Sequence, residues 1–380
     1  MKKILLVTRP IAPPWDEASK NFAYYLAKTI SAKENDLELH LMTRGHLPEL
    51  SKRVVQNEVY TSSRNDITFS QKWRSLFFQF IMRNQFDVAH YFFTPTKLNS
   101  FLIKNFLSSK KTKIIQTVAT LREDLYSDSE IKKMMFGDLI LTYSDYAAQK
   151  LNSLGFKNVK RVYPGIDLEK YQPRAKDPEL LKKCSLTDKD FIINFTGEYT
   201  RLGAMDDVIN SFIEICNKIP NAKLSLAVRI KNEKDAAKKK AVVEKLKKNN
   251  LLDKVSFLDG SIDYGKDFDM SAAYNLCDVS LFPVQNMRGK FDIPLAVVEA
   301  MACAKPVILS DLPILAELGN EENAVIIRNG DVPAITAAIL DLYNHPEKRA
   351  AIGQAAQRFV TERFDIKKVA RIYEEIYKEL

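Results

Sequence analysis

The chain has 380 residues, of which 46% are hydrophobic and 28% are charged, and it carries a net charge of +9. This composition is typical of a soluble globular protein, and no run approaches the roughly 18 apolar residues of a membrane span. The apolar segment after Lys2 and Lys3 is short and leads into charged residues, so it predicts a first strand and not a signal peptide. The length predicts two domains, each with its own core.

The net charge lies entirely in the first part of the chain. Residues 1–160 hold 24 Lys and Arg against 15 Asp and Glu, whereas residues 161–380 hold 33 of each. A basic domain favours an anionic partner, such as an acidic lipid surface, a phosphorylated substrate or nucleic acid. The alternative is that lysines such as Lys104 and Lys110 only solvate the surface. The four cysteines have no paired spacing, which predicts reduced core residues in a cytoplasmic protein.

Strand and helix patterns alternate along the first half. The predicted strands are KKILLVT, LELHLMT, DVAHYFF, KIIQTVA and DLILTYS, with helices such as Glu17–Ile30 and Tyr146–Leu154 between them. This alternation is typical of the α/β class with a doubly wound parallel sheet.

The loop after the first strand, RPIAPPWDEASKN, holds candidate binding residues. Trp15 is able to stack on a ligand or cover a cleft, and Asp16, Glu17 and Lys20 begin the next helix. A structural interpretation is equally open, in which Trp15 is a hydrophobic staple and Asp16 is a helix cap.

A segment of the first half, ITFSQKWRSLFFQFIMR, predicts an amphipathic helix over Ile67–Arg83. Its apolar side holds Trp73, Leu76, Phe77, Phe80 and Ile81, with cations near the edges. Two interpretations are open: an interfacial helix on an anionic membrane surface, or a helix whose apolar face packs on the sheet.

The second half opens after VYPGIDLEKYQP, where Pro and Gly interrupt the alternation and predict an inter-domain connection. FIINFTG, AKLSLAV, VSFLDG, DVSLFPV, PVILS and AVIIRN then predict a second parallel sheet. We therefore expect two Rossmann-like domains, over 1–163 and 164–362, that face a cleft at the carboxyl ends of their strands.

The stretch KFDIPLAVVEAMACAKPVILS joins a polar loop, a helix start and a buried strand. Pro294 suits the first position of a helix, where no backbone N–H is needed. Glu299 lies on a different helix face from the apolar residues and is able to accept two hydrogen bonds from a ribose diol. An ordinary solvent-facing glutamate is the alternative.

Together, the tandem sheets, the VYPGIDLEKYQP connection, the EAMACAKPVI unit and the closing RFDIKKVARIYEEIYKEL helix resemble glycosyltransferase family 4, whose fold is GT-B. The resemblance implies a retaining transferase of a hexose-like sugar. The C-terminal domain would hold a nucleotide-diphosphate sugar as substrate. The N-terminal domain would hold a glycan or lipid-linked acceptor, and its candidate contacts are Trp15, Asp16, Glu17 and Lys20. It also implies that the helix at about 363–380 returns to the first domain, that no cofactor or metal takes part, and that nucleic acid is not a partner. No DxD-type cluster or paired histidine suggests a divalent ion.

The resemblance assigns donor-binding roles with some departures. Of the family's two glutamates, the second falls on Glu299, but the first falls on Phe291. Asp292 is adjacent and is the substitute for contact with the donor sugar at the reaction centre. Alternatively, the backbone of the FDIP stretch, including Ile293, Pro294 and the following Leu295, would present N–H groups to the donor.

The family's phosphate clamp, an Arg and a Lys after the strand-end glycine, Gly197, falls here on Glu198 and Gly203. Arg201 lies between them and is the first choice for binding the diphosphate, since a guanidinium bridges two phosphate oxygens. Arg229 and Lys290 are the further candidates.

The family's histidine falls near Ala119 and is absent. His90 is the only histidine expected to face the cleft, as a catalytic group or as a satisfied core histidine. The departures at Phe291, Glu198, Gly203 and Ala119 keep a second hypothesis open, a non-catalytic GT-B subunit that binds sugar nucleotides. A phosphorylase or epimerase on the same fold is a third.

Overall fold

The computed structural model describes residues 1–13, 15, 17–61, 68–258, 269–289 and 292–380. The chain forms two compact units. The first comprises Met1–Asp167, Gly289–Ile293 and Arg363–Leu380, and the second comprises Leu168–Arg288 and Pro294–Glu362. The sequence-based division placed residues 164–167 and 289–293 in the second domain, and the structure groups both segments with the first unit.

The first unit is built on a parallel sheet of seven strands in the described residues, in the order β3-β2-β1-β4-β5-β6-β7. Its strands are β1 (Lys2–Ile11), β2 (Leu37–Thr43), β3 (Val54–Asn57), β4 (Val88–Phe92), β5 (Lys113–Val118), β6 (Leu139–Thr142) and β7 (Val159–Arg161). Its helices are α1 (Ala18–Ser31), α2 (Phe69–Met82), α3 (Lys97–Leu102), α4 (Asp128–Met134), α5 (Asp145–Ser153) and, at the other end of the chain, α13 (Ile366–Glu379). A π-helical segment, Ile103–Leu107, continues α3.

The second unit has a parallel sheet of six strands in the described residues, in the order β10-β9-β8-β11-β12-β13. Its strands are β8 (Phe191–Glu198), β9 (Ala222–Arg229), β10 (Val255–Phe257), β11 (Val279–Phe282), β12 (Val307–Ser310) and β13 (Val325–Ile327). Its helices are α6 (Pro178–Lys183), α7 (Ala204–Cys216), α8 (Glu233–Lys248), α9 (Met270–Leu276), α10 (Leu295–Ala302), α11 (Val332–Asn344) and α12 (Pro346–Arg363). Two 3-10 turns cover Arg201–Gly203 and Leu252–Lys254.

Both sheets are doubly wound, as the alternating pattern predicts. Each sheet has a point where the strand order reverses, between β1 and β4 in the first unit and between β8 and β11 in the second. Ligands of open α/β sheets bind outside the carboxyl ends of the strands at such points. Ligand-binding residues are therefore expected near the carboxyl ends of these two strand pairs.

The closing helix belongs to the first unit. Tyr373 on α13 packs against Phe22 on α1, with ring centroids 5.6 Å apart. Tyr373 and Tyr377 are both fully buried. The helix thus covers one face of the first sheet. The opposite face contributes Leu5, Val7 and Tyr91 to a separate apolar cluster.

The four cysteines are reduced, and Cys184, Cys277 and Cys303 are buried, whereas Cys216 is partly exposed. Burial raises the pKa of the Cys277 and Cys303 thiols to about 12. These thiols are therefore protonated at neutral pH and behave as small apolar side chains.

Candidate functional site

The loop after β8 forms the most elaborate backbone feature at the switch point of the second unit. Leu202 and Gly203 both have positive φ, at 66° and 75°. The backbone N–H of Gln285, from the loop after β11, donates to the carbonyl of Leu202 at 2.8 Å. A Cβ atom added to Gly203 would lie 2.8 Å from Oε1 of Gln285. The positive φ and the close approach of Gln285 therefore both favour glycine over lysine at this position.

Cationic side chains gather around Glu198 at the end of β8. The ammonium of Lys231 lies 2.5 Å from Oε1 of Glu198, and Nη1 of Arg201 lies 3.5 Å from the same oxygen. Arg229, at the end of β9, is the direct strand neighbour of Glu198. Arg201 and Lys231 keep 37% and 40% of their side-chain surface exposed. The carboxyl ends of β8 and β9 therefore carry three cations around one carboxylate, which is an arrangement suited to a polyanion.

Glu299 is oriented by a buried tyrosine. The hydroxyl of Tyr274, on α9, donates to Oε2 of Glu299 on α10 at 2.9 Å. Burial first, and then the negative charge of Glu299, raise the pKa of Tyr274 well above its ordinary value, and a hydrogen bond with Thr196 of β8 opposes this shift. The tyrosine therefore stays protonated and donates to the carboxylate. This network connects Glu299 to β8 through Tyr274.

The residues before α10 occupy different environments. Helix α10 begins at Leu295 and Pro294 is its N-cap, one residue later than the sequence predicts. Ile293 and Pro294 are buried, so a contact of these residues with a ligand would come from the backbone. Lys290 and Phe291 lie outside the described residues. Gly197 packs closely beneath the strand end, where an added Cβ would lie 3.0 Å from the ring of Phe195.

Asp292 groups with the first unit. The Thr120 hydroxyl, just after β5, donates to Oδ2 of Asp292 at 3.1 Å. Asp292 is also close to Tyr143, which follows β6. Burial first, then the charges of Tyr373, Glu17 and Asp292, raise the pKa of Tyr143 well above its ordinary value. The Tyr143 hydroxyl is buried, and no hydrogen-bond partner is found for it among the described residues.

The four residues expected to contact an acceptor differ in their environments. Trp15 is exposed and packs against Tyr24, with ring centroids 4.5 Å apart. Glu17 is the N-cap of α1: its carboxylate accepts from the backbone N–H of Lys20 at 3.2 Å and from the hydroxyl of Ser19 at 2.5 Å. The Lys20 side chain is buried. Glu17 therefore serves as a helix cap, whereas contact of Glu17 and Lys20 with an acceptor stays a prediction. Asp16 lies outside the described residues.

The expectation that His90 faces a ligand is wrong. His90 is completely buried, with Nδ1 hydrogen-bonded to the Tyr377 hydroxyl at 2.7 Å and Nε2 to the Thr117 hydroxyl at 2.6 Å. Burial lowers its pKa well below the ordinary value, so the ring is neutral. Since side chains alternate along β4, His90 lies on the face covered by α13, and it connects that helix to the sheet.

Three residues that the sequence does not single out stand at these sites: Lys231, Tyr274 and Tyr143. Lys231 follows a strand end by two residues, which is a usable signal for a ligand-binding position. Tyr143 directly follows β6 and has the same signal. Tyr274 lies within α9 and has none, because its contact with Glu299 joins residues 25 positions apart. Among the residues that the structure describes, no three His, Cys, Asp or Glu side chains come together as a metal-binding group.

Comparisons with known proteins agree with this architecture. Residues 176–359 match the family described as glycosyl transferases group 1. An uncharacterized glycosyltransferase of Methanocaldococcus jannaschii is 21% identical over 332 residues, which cover 82% of this chain and 80% of the relative. A GDP-mannose-dependent monoacylated alpha-(1-6)-phosphatidylinositol monomannoside mannosyltransferase of Corynebacterium glutamicum is 21% identical over 229 residues, which cover 58% of this chain and 57% of the relative.

The fold is shared with solved structures. The crystal structure of HepE of Anabaena in complex with UDP-glucose superposes with a TM-score of 0.75 at 16% identity and covers 100% of both chains. At this identity the likeness shows the fold, which is GT-B with two Rossmann-like units. The match to the family of glycosyl transferases group 1 falls within the span of the second unit, at residues 176–359.

Proposed function

We propose that the protein is a retaining glycosyltransferase that moves a hexose-like sugar from a nucleotide-diphosphate donor to an acceptor, with no cofactor. The observation that carries the proposal is the arrangement at the switch point of the second unit. Cations surround Glu198 at the ends of β8 and β9, and Tyr274 holds the Glu299 carboxylate near the end of β8. A nucleotide diphosphate needs cations to bind its phosphates and a hydrogen-bond acceptor to bind its ribose hydroxyls, and this arrangement offers both.

In this proposal Glu299 binds the ribose. A carboxylate accepts two hydrogen bonds from a vicinal diol, and such charge-assisted bonds are stronger than neutral ones. The Tyr274 hydroxyl fixes the orientation of Oε2 at 2.9 Å. The complex of HepE with UDP-glucose, which has the same fold, supports a donor of this class.

Arg201 and Lys231 are the proposed phosphate ligands. Glu198 holds both in place through ion pairs while leaving more than a third of each side chain exposed. The diphosphate gains charge as its bond to the sugar breaks, and cations that are already positioned stabilise that charge with little reorganisation. The acceptor oxygen bonds to the anomeric carbon on the same face from which the diphosphate leaves, which gives retention, and the diphosphate oxygen takes the proton of the acceptor hydroxyl. The protein's task is positioning and charge stabilisation.

We further propose that the first unit binds a glycan or lipid-linked acceptor at the cytoplasmic face of a membrane. Its excess of basic residues favours an anionic acceptor or surface. The relative from Corynebacterium glutamicum, whose name specifies a phosphatidylinositol mannoside, supports a lipid-linked acceptor.

A second candidate is a non-catalytic subunit that binds sugar nucleotides. The four departures at Ala119, Glu198, Gly203 and Phe291 favour it, because the family places contacts with the donor or the reaction centre at these positions. The relocated cations, Arg201 and Lys231, favour an active enzyme.

Titration calorimetry with UDP, GDP and ADP, followed by a donor hydrolysis assay without acceptor, separates the two candidates. Binding of a nucleotide that is weakened in Glu299→Ala, together with slow hydrolysis of the matching sugar nucleotide, supports the transferase. Binding without hydrolysis, and without transfer to any acceptor of a lipid and glycan panel, supports the subunit. Absence of binding contradicts both.

A further inference from the structure

Helix α2 has two apolar sides. Leu76, Phe78 and Met82 pack against the buried cluster beneath the helix. On the outer side the exposed apolar residues are Phe69, Trp73, Phe77, Phe80 and Ile81, which retain 75%, 59%, 65%, 44% and 55% of their surface. Their spacing of three and four residues places them on one face of the helix. Packing on the sheet therefore accounts for only one side of this helix.

A second, adjacent element adds to this exposed apolar surface. Leu98 and Phe101 of α3 and Phe106 of the π-helical segment are 65%, 56% and 52% exposed. The rings of Phe101 and Phe106 lie 6.1 Å apart. The buried side of the same segment, at Ile103 and Leu107, belongs to the cluster on which α2 packs. We call the outward residues of both elements the aromatic surface: Phe69, Trp73, Phe77, Phe80, Ile81, Leu98, Phe101 and Phe106.

The chain around the aromatic surface is strongly basic. Residues 68–113 hold eight Lys and Arg and a single acidic residue, Asp87. The guanidinium of Arg83 lies over the ring of Phe80, 3.9 Å from its centroid. Lys72, Lys104, Lys110 and Lys111 are exposed. Exposed aromatic residues with cations beside them are typical of surfaces that enter the headgroup region of a bilayer, where the rings reach the acyl boundary and the cations meet anionic headgroups.

We propose that the aromatic surface docks the protein on an anionic lipid bilayer. A second copy of the chain is the less suitable occupant, because two such basic faces would repel each other. No helix among the described residues is long and apolar enough to cross a bilayer, so the contact is interfacial. The inference does not depend on the transferase activity, because the surface lies outside the residues assigned to the donor or the acceptor.

Co-sedimentation of the full chain tests the proposal. The probes are phosphatidylcholine vesicles with and without phosphatidylglycerol, at low and high salt. We expect binding to the vesicles that contain phosphatidylglycerol, weaker binding at high salt because screening reduces the headgroup attraction, and little binding to pure phosphatidylcholine. Equal binding to both vesicle types, or binding to neither, overturns the proposal.

Paired variants locate the contact. Trp73→Ser with Phe77→Ser, and separately Phe101→Ser with Phe106→Ser, should each lower the partition coefficient about tenfold or more, since each removes two exposed rings that the bilayer would bury. The matched control is Leu125→Ser, in the same unit and 57% exposed but outside the aromatic surface. Since all these residues are exposed, the far-UV circular dichroism and melting temperature should be retained. Equal binding of the variants and the control overturns the assignment.

Charge reversal and fluorescence give independent readouts. Lys72→Glu with Lys104→Glu should weaken binding more than Lys33→Glu with Lys52→Glu, which are exposed residues outside the basic stretch. The chain has two tryptophans, so Trp15→Phe leaves Trp73 as the only indole. Its emission should shift to the blue with anionic vesicles and be quenched by brominated acyl chains. A blue shift that instead follows protein concentration without vesicles would indicate self-association and overturn the proposal.

Discussion

The hydrogen bond between Tyr274 and Glu299 allows the ribose assignment to be tested without removing the carboxylate. Tyr274→Phe deletes only the hydroxyl that donates to Oε2 of Glu299 at 2.9 Å. The ring is fully buried and has room for phenylalanine, so the packing of α9 should be retained. If the hydroxyl orients the carboxylate for the ribose, its loss should weaken donor binding even though Tyr274 itself does not touch the donor.

The expected magnitude follows from the type of bond. A hydrogen bond to a charged group contributes about 1.5–3 kcal/mol, so Glu299→Ala should weaken donor binding by that amount, or roughly 10- to 150-fold in Kd. Tyr274→Phe keeps the carboxylate, which is partly exposed and able to recruit water, so we expect the smaller loss of about 1 kcal/mol, or roughly fivefold. Glu299→Gln should fall between the two, since the amide oxygen still accepts from Tyr274.

Titration calorimetry with UDP and with the matching sugar nucleotide measures these losses, and urea denaturation shows whether the fold is intact. Tyr343→Phe is the matched control, because this tyrosine lies in the same unit and packs on Phe191 at 5.1 Å, and no shared contact joins it to Glu299. Unchanged donor affinity in Tyr274→Phe would refute the positioning role. Unchanged affinity in Glu299→Ala would refute the ribose assignment itself.

Three further predictions concern turnover, backbone conformation and pH. Arg201→Ala and Lys231→Ala should each lower kcat by about 100-fold with a smaller change in KM, because the charge on the leaving group grows in the transition state. Unchanged kcat of both variants in steady-state kinetics would contradict their assignment as phosphate ligands. Gly203→Ala should lower the free energy of unfolding by more than the roughly 1–2 kcal/mol that a non-glycine residue costs at positive φ. Gly330→Ala should show that conformational cost alone, because Gly330 has the same φ of 75° and nothing lies within 4 Å of the added Cβ. Equal losses of the two variants in urea denaturation would contradict the contact with Gln285. Burial lowers the pKa of His90 in the folded protein, so the neutral ring should contribute stability above the unfolded pKa of about 6.5. This contribution should be lost as the pH falls toward the folded pKa, by about 1.4 kcal/mol for each pH unit between the two values. Urea titrations from pH 7 to 5 should show a smaller pH dependence of the free energy of unfolding in His90→Gln, and an identical dependence would exclude His90 as the source.

The sequence predicts the sheets well because parallel strands buried on both faces appear as continuous apolar runs. The strands from LELHLMT and FIINFTG are two examples, found at Leu37–Thr43 and Phe191–Glu198. The two strands that were not predicted, Val54–Asn57 and Val159–Arg161, lie at the two edges of the first sheet. They are short and carry polar residues, since an edge strand has one open side, and the apolar signal is therefore weak.

The site is less predictable because its contacts join distant segments. The sequence identifies Glu299 and Arg201 as candidates, but it does not pair Glu299 with Tyr274, 25 residues earlier. It also suggests that His90 is equally suited to the core or to catalysis. Only the position of α13, more than 280 residues later, decides for the core, because Tyr377 from that helix occupies Nδ1.

The departures at Glu198 and Gly203 have a common physical explanation. A lysine at the position of Gly203 would be strained at φ 75°, and its Cβ would lie too close to Gln285. The backbone conformation of this turn therefore favours glycine. Two cations are nevertheless present at this strand end: Lys231 reaches Glu198 from the loop after β9, and Arg201 reaches the same carboxylate from the turn itself. Glu198 is thus the counter-ion that holds both Arg201 and Lys231 in place. If Glu198 positions these cations for catalysis, Glu198→Gln should leave both less ordered and lower kcat. Glu198→Arg should add a fourth cation to Arg201, Arg229 and Lys231 and weaken folding at low salt. Steady-state kcat and salt-dependent unfolding of Glu198→Gln and Glu198→Arg measure these effects. Improved turnover in Glu198→Arg with no loss of stability would mean that the carboxylate plays no positioning role.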